Sequence, residues 1–242
     1  MQKRASSLVL IIRLAAMALA GVTVCLVPPA RAEDAKSSPC IEDLMLVFDA
    51  SGSMSGPVLP GSVSPVARID QAREAVGRVL PSATKYRRVG LITYGPGTYN
   101  QCNVELNLKP TPNAAEIIMK DVNALVPAGK TPLTAAVKQA ADVLDYTAKP
   151  GVIVILTDGE ETCGGSPCEI GKALHALGKH LTVHVVAYRP SVVSWMGEES
   201  IGEAKCLADQ TGGLYITAKT EDDLVQALEK TLDCPMTSEL TR

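Results

Sequence analysis

A chain of 242 residues with 46% apolar and 20% charged side chains has the composition of a folded globular protein, which excludes a disordered chain and a polytopic membrane protein. Aromatics make up only 3%, so the core must be aliphatic, and stacking platforms for single-stranded nucleic acid or sugars are excluded. The net charge of −3 is uneven: residues 1–32 hold four of the 23 basic residues and no acid, leaving 19 against 26 acids, a charge of −7 that argues against nucleic acid as a partner.

The chain begins as an address. Lys3, Arg4 and Arg13 are followed by an apolar run from Leu14 to Val27 and an Ala30-Arg31-Ala32 end, which reads as a secretory signal (1–32) cleaved after Ala32. An uncleaved anchor over Leu8–Val27 and lipidation at Cys25 are the competing readings; Arg13 within the span and Val24 before the cysteine weigh against them. The expected product is periplasmic or secreted, with no membrane span in the mature chain. In such an oxidising compartment the six remaining cysteines imply disulfides, and no CxxC pair suggests zinc.

After a short extension (33–40), strand and helix signals alternate. Asp43–Asp49 reads as a buried strand, and Ser51–Pro65 as an irregular loop. Ile69, Ala72, Val76 and Val79 predict a helix that Pro81 stops. Arg88–Tyr94 and Cys102–Leu108 form a hairpin across Gly95–Thr98, the second being an edge strand. Helices follow over Pro112–Leu125 and Pro132–Tyr146, then the strand Val152–Leu156. Ser166-Pro-Cys-Glu169 is a capping box for a helix reaching Gly178; Leu181–Tyr188 is a strand. A helix over Glu198–Gln210, a short strand over Leu214–Thr217 and a helix capped by Thr220–Asp223 complete the series, with a tail at 235–242. The pattern predicts a three-layer, doubly wound α/β domain over 41–234, with a mostly parallel sheet and one antiparallel edge strand.

Ligands of an open α/β sheet gather at the carboxyl ends of its strands. Three polar clusters fall there: Asp49-Ala-Ser51-Gly-Ser53-Met54, Gly129-Lys-Thr131-Pro-Leu133 and Thr157-Asp158-Gly159. Two carboxylates and three hydroxyls are an all-oxygen set that suits a hard cation, Mg2+ first, with Mn2+ or Ca2+ as alternatives. A purely structural use is also open, with Asp49 capping a turn and the hydroxyls bonded to backbone. Catalysis has no support, so no enzyme is expected. Gly129-Lys130-Thr131 lacks the earlier glycine of a phosphate loop, Asp49 lacks a second carboxylate at position 51, and no G-x-S-x-G elbow exists. His175, His180 and His184 read as packing and surface residues.

D-x-S-G-S, TPL and TDG, in that order, resemble the von Willebrand factor type A domain and its metal-ion-dependent adhesion site over Ile41–Asp233. The resemblance implies that Ser51, Ser53 and Thr131 bind the ion, that Asp49 and Asp158 bind it or its waters, and that an Asp or Glu of a protein partner completes the coordination. Neutral hydroxyl ligands leave a cation open to such an external carboxylate. Alternative roles are an envelope structural or assembly module in which the metal only stabilises, and a non-catalytic accessory subunit. The type A fold brings its ends together, which implies a Cys40–Cys234 bridge. A local Cys163–Cys168 bridge is expected beside Asp158, with Cys102 and Cys206 left over on opposite sides of the sheet. Met54, Trp195 and Met196 are the candidate partner contacts at the metal-bearing edge.

Overall fold

The computed structural model describes residues 42–56, 66–189 and 202–232. The signal segment, Cys40, Cys234, Trp195 and Met196 lie outside the described residues.

The strands are β1 (Asp43–Asp49), β2 (Val89–Tyr94), β3 (Val104–Thr111), β4 (Gly151–Thr157), β5 (Leu181–Tyr188) and β6 (Tyr215–Ala218). The helices are α1 (Arg68–Tyr86), α2 (Ala115–Ala124), α3 (Leu133–Val143), α4 (Pro167–Leu177), α5 (Gly202–Gln210) and α6 (Glu221–Leu232). One six-stranded sheet has the order β3-β2-β1-β4-β5-β6, with only β3 antiparallel to its neighbour. The expected fold class, with one antiparallel edge strand, is what the chain adopts.

Both faces of the sheet are covered, which is why β1, β2 and β4 read as unbroken apolar runs rather than alternating ones. Leu44, Leu46 and Phe48 face α1, α2 and α6, while Met45 and Val47 face α3, α4 and α5. Asp49 follows at the end of β1, fully buried. β1 has β2 on one side and β4 on the other, so the direction of winding reverses between β1 and β4 and a crevice opens beyond their carboxyl ends.

Two local expectations fail. Pro81 does not stop the first helix, which runs on to Tyr86. Pro81 itself is exposed, while Leu80 and Ala83 beside it are buried against the sheet. Their packing outweighs a proline penalty of roughly 3 kcal/mol. Thr84 also donates its hydroxyl to the Leu80 carbonyl at 2.9 Å. The Ser166 capping box does not form: Ser166 donates to Glu203 at 3.3 Å and Glu169 pairs with Lys172 at 2.7 Å, because α5 packs alongside α4. The cap expected on the last helix does form, with Asp223 N–H donating to Thr220 Oγ1 and Thr220 N–H to Asp223 Oδ2.

Candidate metal centre

The site starts from Asp49. Its Oδ2 accepts the Thr157 hydroxyl at 2.6 Å and its Oδ1 accepts the Ser51 N–H at 2.7 Å. The parallel register aligns Phe48 with Leu156, so the next residues, Asp49 and Thr157, meet across the strand ends. Both partners of Asp49 are neutral. Burial raises its pKa to about 6, helped by the nearby charge of Asp158 and opposed by the Ser51 and Thr157 hydrogen bonds. Tyr94 is fully buried alongside, its pKa pushed well up by burial and then by Asp49. A buried carboxylate whose donors are all uncharged is an expensive arrangement in an apolar interior. A cation nearby would relieve it.

The hydroxyls are placed by backbone contacts between three loops. Ser51 bridges to Gly129, and Gly52 N–H donates to the Gly129 carbonyl at 2.9 Å. Gly95 lies beneath with φ +77°, and a Cβ there would come within 2.6 Å of Ser51 N and Cα, so only glycine lets β2 pass so close. Thr131 is braced from two sides. Its N–H donates to Thr162 Oγ1 at 2.8 Å, its carbonyl accepts Thr162 N–H at 3.0 Å, and Lys130 N–H donates to the Gln101 carbonyl at 2.8 Å. Glu161 joins this brace to the start of α3, accepting from Thr134 N–H and Cys163 N–H.

Ser51 Oγ and Ser53 Oγ stand 3.0 Å apart, and Ser53 Oγ donates to Asp158 Oδ1 at 2.6 Å. A methyl group built on Gly159 would lie 3.5 Å from Thr131 Oγ1 and 3.6 Å from Ser53 Oγ, so both hydroxyls border the same small hollow. The structure therefore brings together all five of the residues singled out by sequence.

The residues fit a hard cation. Ligands about 2.1 Å from an octahedral ion stand about 3 Å from each other, which is the separation of the two serine oxygens. Among the described residues no cluster of three or more His, Cys, Asp or Glu is placed to hold a metal, which excludes a carboxylate-rich or thiolate cage for those residues. The site instead offers two carboxylates and three hydroxyls. Part of the structural alternative is present as well, since Asp49 does cap the turn at Ser51.

Three expectations need correction. Met54 is not a partner contact: it is fully buried and packs into the core on the α1 side, because the 3-10 turn over Gly52–Ser55 rotates it inward. Cys163 and Cys168 do not bridge each other. Cys163 bonds to Cys102 and Cys168 to Cys206. Cys102 and Cys206 are not left over: they lie toward opposite edges of the sheet, as expected, and each bonds to one of the two cysteines that follow β4. Arg68 went unnoticed in the sequence, although it ion-pairs with Asp158 at 2.7 Å. Its one signal is a basic residue opening a helix, where the helix dipole disfavours a cation.

Comparison with known proteins bears on the fold. Residues 44–161 match the von Willebrand factor type A domain. The matched stretch includes Asp49, Ser51, Ser53, Thr131 and Asp158. The chain is 26% identical over 192 residues to the uncharacterized protein YwmC of Bacillus subtilis, covering 75% of this chain and 79% of that one. A von Willebrand factor type A structure from Catenulispora acidiphila shares the fold with a TM-score of 0.59 and 16% identity, over 80% of this chain and 42% of that one. Proximal thread matrix protein 1 of the mussel byssus, in a structure with a zinc-occupied metal-ion-dependent adhesion site, gives a TM-score of 0.53 and 17% identity over 81% and 48%. No helix among the described residues is long and apolar enough to cross a membrane.

Proposed function

We propose that this protein is an exported, non-catalytic type A binding module. Ser51, Ser53 and Thr131, with Asp49 and Asp158, hold Mg2+, or Mn2+ or Ca2+, and an Asp or Glu of a protein partner completes the coordination. The observation that carries this reading is that the Ser53 and Thr131 hydroxyls both approach Gly159, with the two serine oxygens 3.0 Å apart and Ser53 donating to Asp158. The ion supplies a positive centre that neutral hydroxyl ligands leave open to an external carboxylate. Thr157 and the Ser51 N–H orient Asp49, while Thr162 and Gln101 keep Thr131 turned toward the hollow. The mussel protein's zinc-occupied site of the same type supports metal binding at this position. Two disulfides support an oxidising compartment, periplasmic or extracellular.

The test is affinity capture from envelope extract in Mg2+, in EDTA and with Asp49→Ala. Capture is expected only with Mg2+ and intact Asp49, and is expected to fail when acidic residues of the captured protein are replaced by amides. Capture that survives EDTA, or survives Asp49→Ala with the fold intact, overturns the reading. A metal-dependent melting temperature with no metal-dependent capture would assign the protein to a structural role instead.

A further inference from the structure

A positive charge of the protein's own already stands against the candidate metal site. Arg68 opens α1, and its Nη1 lies 2.7 Å from Asp158 Oδ2 and 3.4 Å from the Ser53 carbonyl. The Asp158 side chain is 1% exposed and that of Arg68 23%, so the pair is poorly screened by water. The helix dipole opposes the guanidinium, and its Nε is buried without a partner. The other oxygen of Asp158 is taken by the Ser53 hydroxyl. Asp158 is thus compensated before any ligand arrives. Asp49 has no cation within ion-pair distance among the described residues.

We propose that Arg68 is a tethered counter-cation that lowers the affinity of the site for a free divalent ion, so that the ion and the partner's carboxylate are captured together. This rests on the metal-binding reading above. With one of two carboxylates neutralised by Arg68, and with hydroxyls that carry no charge, an ion at the hollow keeps most of its own charge. An external carboxylate supplies what Arg68 withholds. The coupling is reciprocal: whatever factor the carboxylate adds to ion affinity, the ion adds to carboxylate affinity. A module built this way stays largely metal-free until its partner arrives, even where the ion is plentiful.

The competing role for Arg68 is a strut that ties the Ser53 turn to α1, and the two differ in sign. Losing a strut loosens the site and weakens metal binding, whereas losing a counter-cation strengthens it. Calorimetric titration of Mn2+ alone into the exported protein decides. Arg68→Gln is expected to bind Mn2+ at least about tenfold more tightly than the wild type, and Arg68→Lys, which keeps the charge, to stay within about threefold of it. Arg68→Met, which keeps the apolar stem, is read the same way should the Gln variant fail to fold. Equal or weaker Mn2+ binding in the neutral variants overturns the proposal. If no variant binds Mn2+ at millimolar concentration, the metal-binding reading fails and this inference falls with it. Binding by the wild type with no gain in the neutral variants rejects Arg68 alone.

Discussion

Cys163 and Cys168 are five residues apart, yet they tie down two regions with different tasks. Cys163 bonds to Cys102 and joins the loop after β4 to the loop before β3, next to the residues that brace Thr131. Cys168 bonds to Cys206 and joins α4 to α5. In the first region Asp49 and Tyr94 are buried beside each other, and the groups that donate to Asp49 carry no charge. In the second, the titratable group is satisfied: His184 on β5 accepts the Leu214 N–H on Nδ1 at 2.9 Å, and burial, then the charge of Arg87, lowers its pKa to about 4. The first region holds a buried carboxylate between uncharged donors, and the second a neutral base. A buried acid held between uncharged donors invites a cation, while a buried base that accepts a backbone N–H needs nothing more.

Removing the two disulfides in turn tests this division most strongly. The bridged residues are separated by 61 and 38 positions, so the chain-entropy model gives nearly equal losses, about 4 kcal/mol each. Cys102→Ser/Cys163→Ser and Cys168→Ser/Cys206→Ser should therefore unfold at similar urea concentrations. Only the first pair should weaken Mn2+ binding, by about tenfold or more, because only that bridge lies beside the brace on Thr131. Equal loss of Mn2+ affinity in both would break the comparison.

A smaller effect is expected from Thr157→Val, which removes the hydroxyl that donates to Asp49 and accepts the Gly159 N–H. Losing a hydrogen bond to a buried carboxylate should cost about 1.5–3 kcal/mol in urea unfolding at pH 7. Added Mn2+ should restore part of that stability if Asp49 faces the ion; no restoration would place Thr157 in the fold alone.

The smallest effect is a pH dependence with opposite signs in the two regions, measured in EDTA. Asp49 has a folded pKa raised from 3.8 to about 6, so the folded state holds the extra proton between those values and stability falls as pH rises through that window. His184 has a folded pKa lowered from 6.5 to about 4, so the unfolded state takes the proton first and stability falls as pH drops from 6.5 toward 4. His184→Asn, whose side-chain oxygen can still accept from Leu214, should remove the second slope and leave stability rising as pH falls through that range. An unchanged pH profile would show that folding does not lower the pKa of His184.

Much of the fold was legible in the residue order. The apolar runs of β1 and β4 announce strands buried on both faces, and the bounds read for β1 and β5 are those adopted. These are local signals, carried by side-chain period and turn residues within a few positions. Where a local signal failed, a distant contact won: Pro81 was overruled by the packing of Leu80 and Ala83, and the Ser166 cap by Glu203 on a neighbouring helix. The candidate site was legible in its ligand types, because Asp49, Ser51, Ser53, Thr131 and Asp158 sit in short motifs at strand ends. Their supports were not, since Thr162, Gln101 and Gly95 carry no motif and matter only by whom they touch.

The sequence by itself determined the sheet with its helices, the oxygen-only chemistry of the cluster and the strand ends that hold it. All three follow from which residue types stand near one another along the chain. Only the tertiary structure decided which cysteines pair, that Met54 turns inward, and that Arg68 crosses to Asp158. Those outcomes depend on distances between segments far apart in sequence, and such distances exist only once the helices have packed onto the sheet.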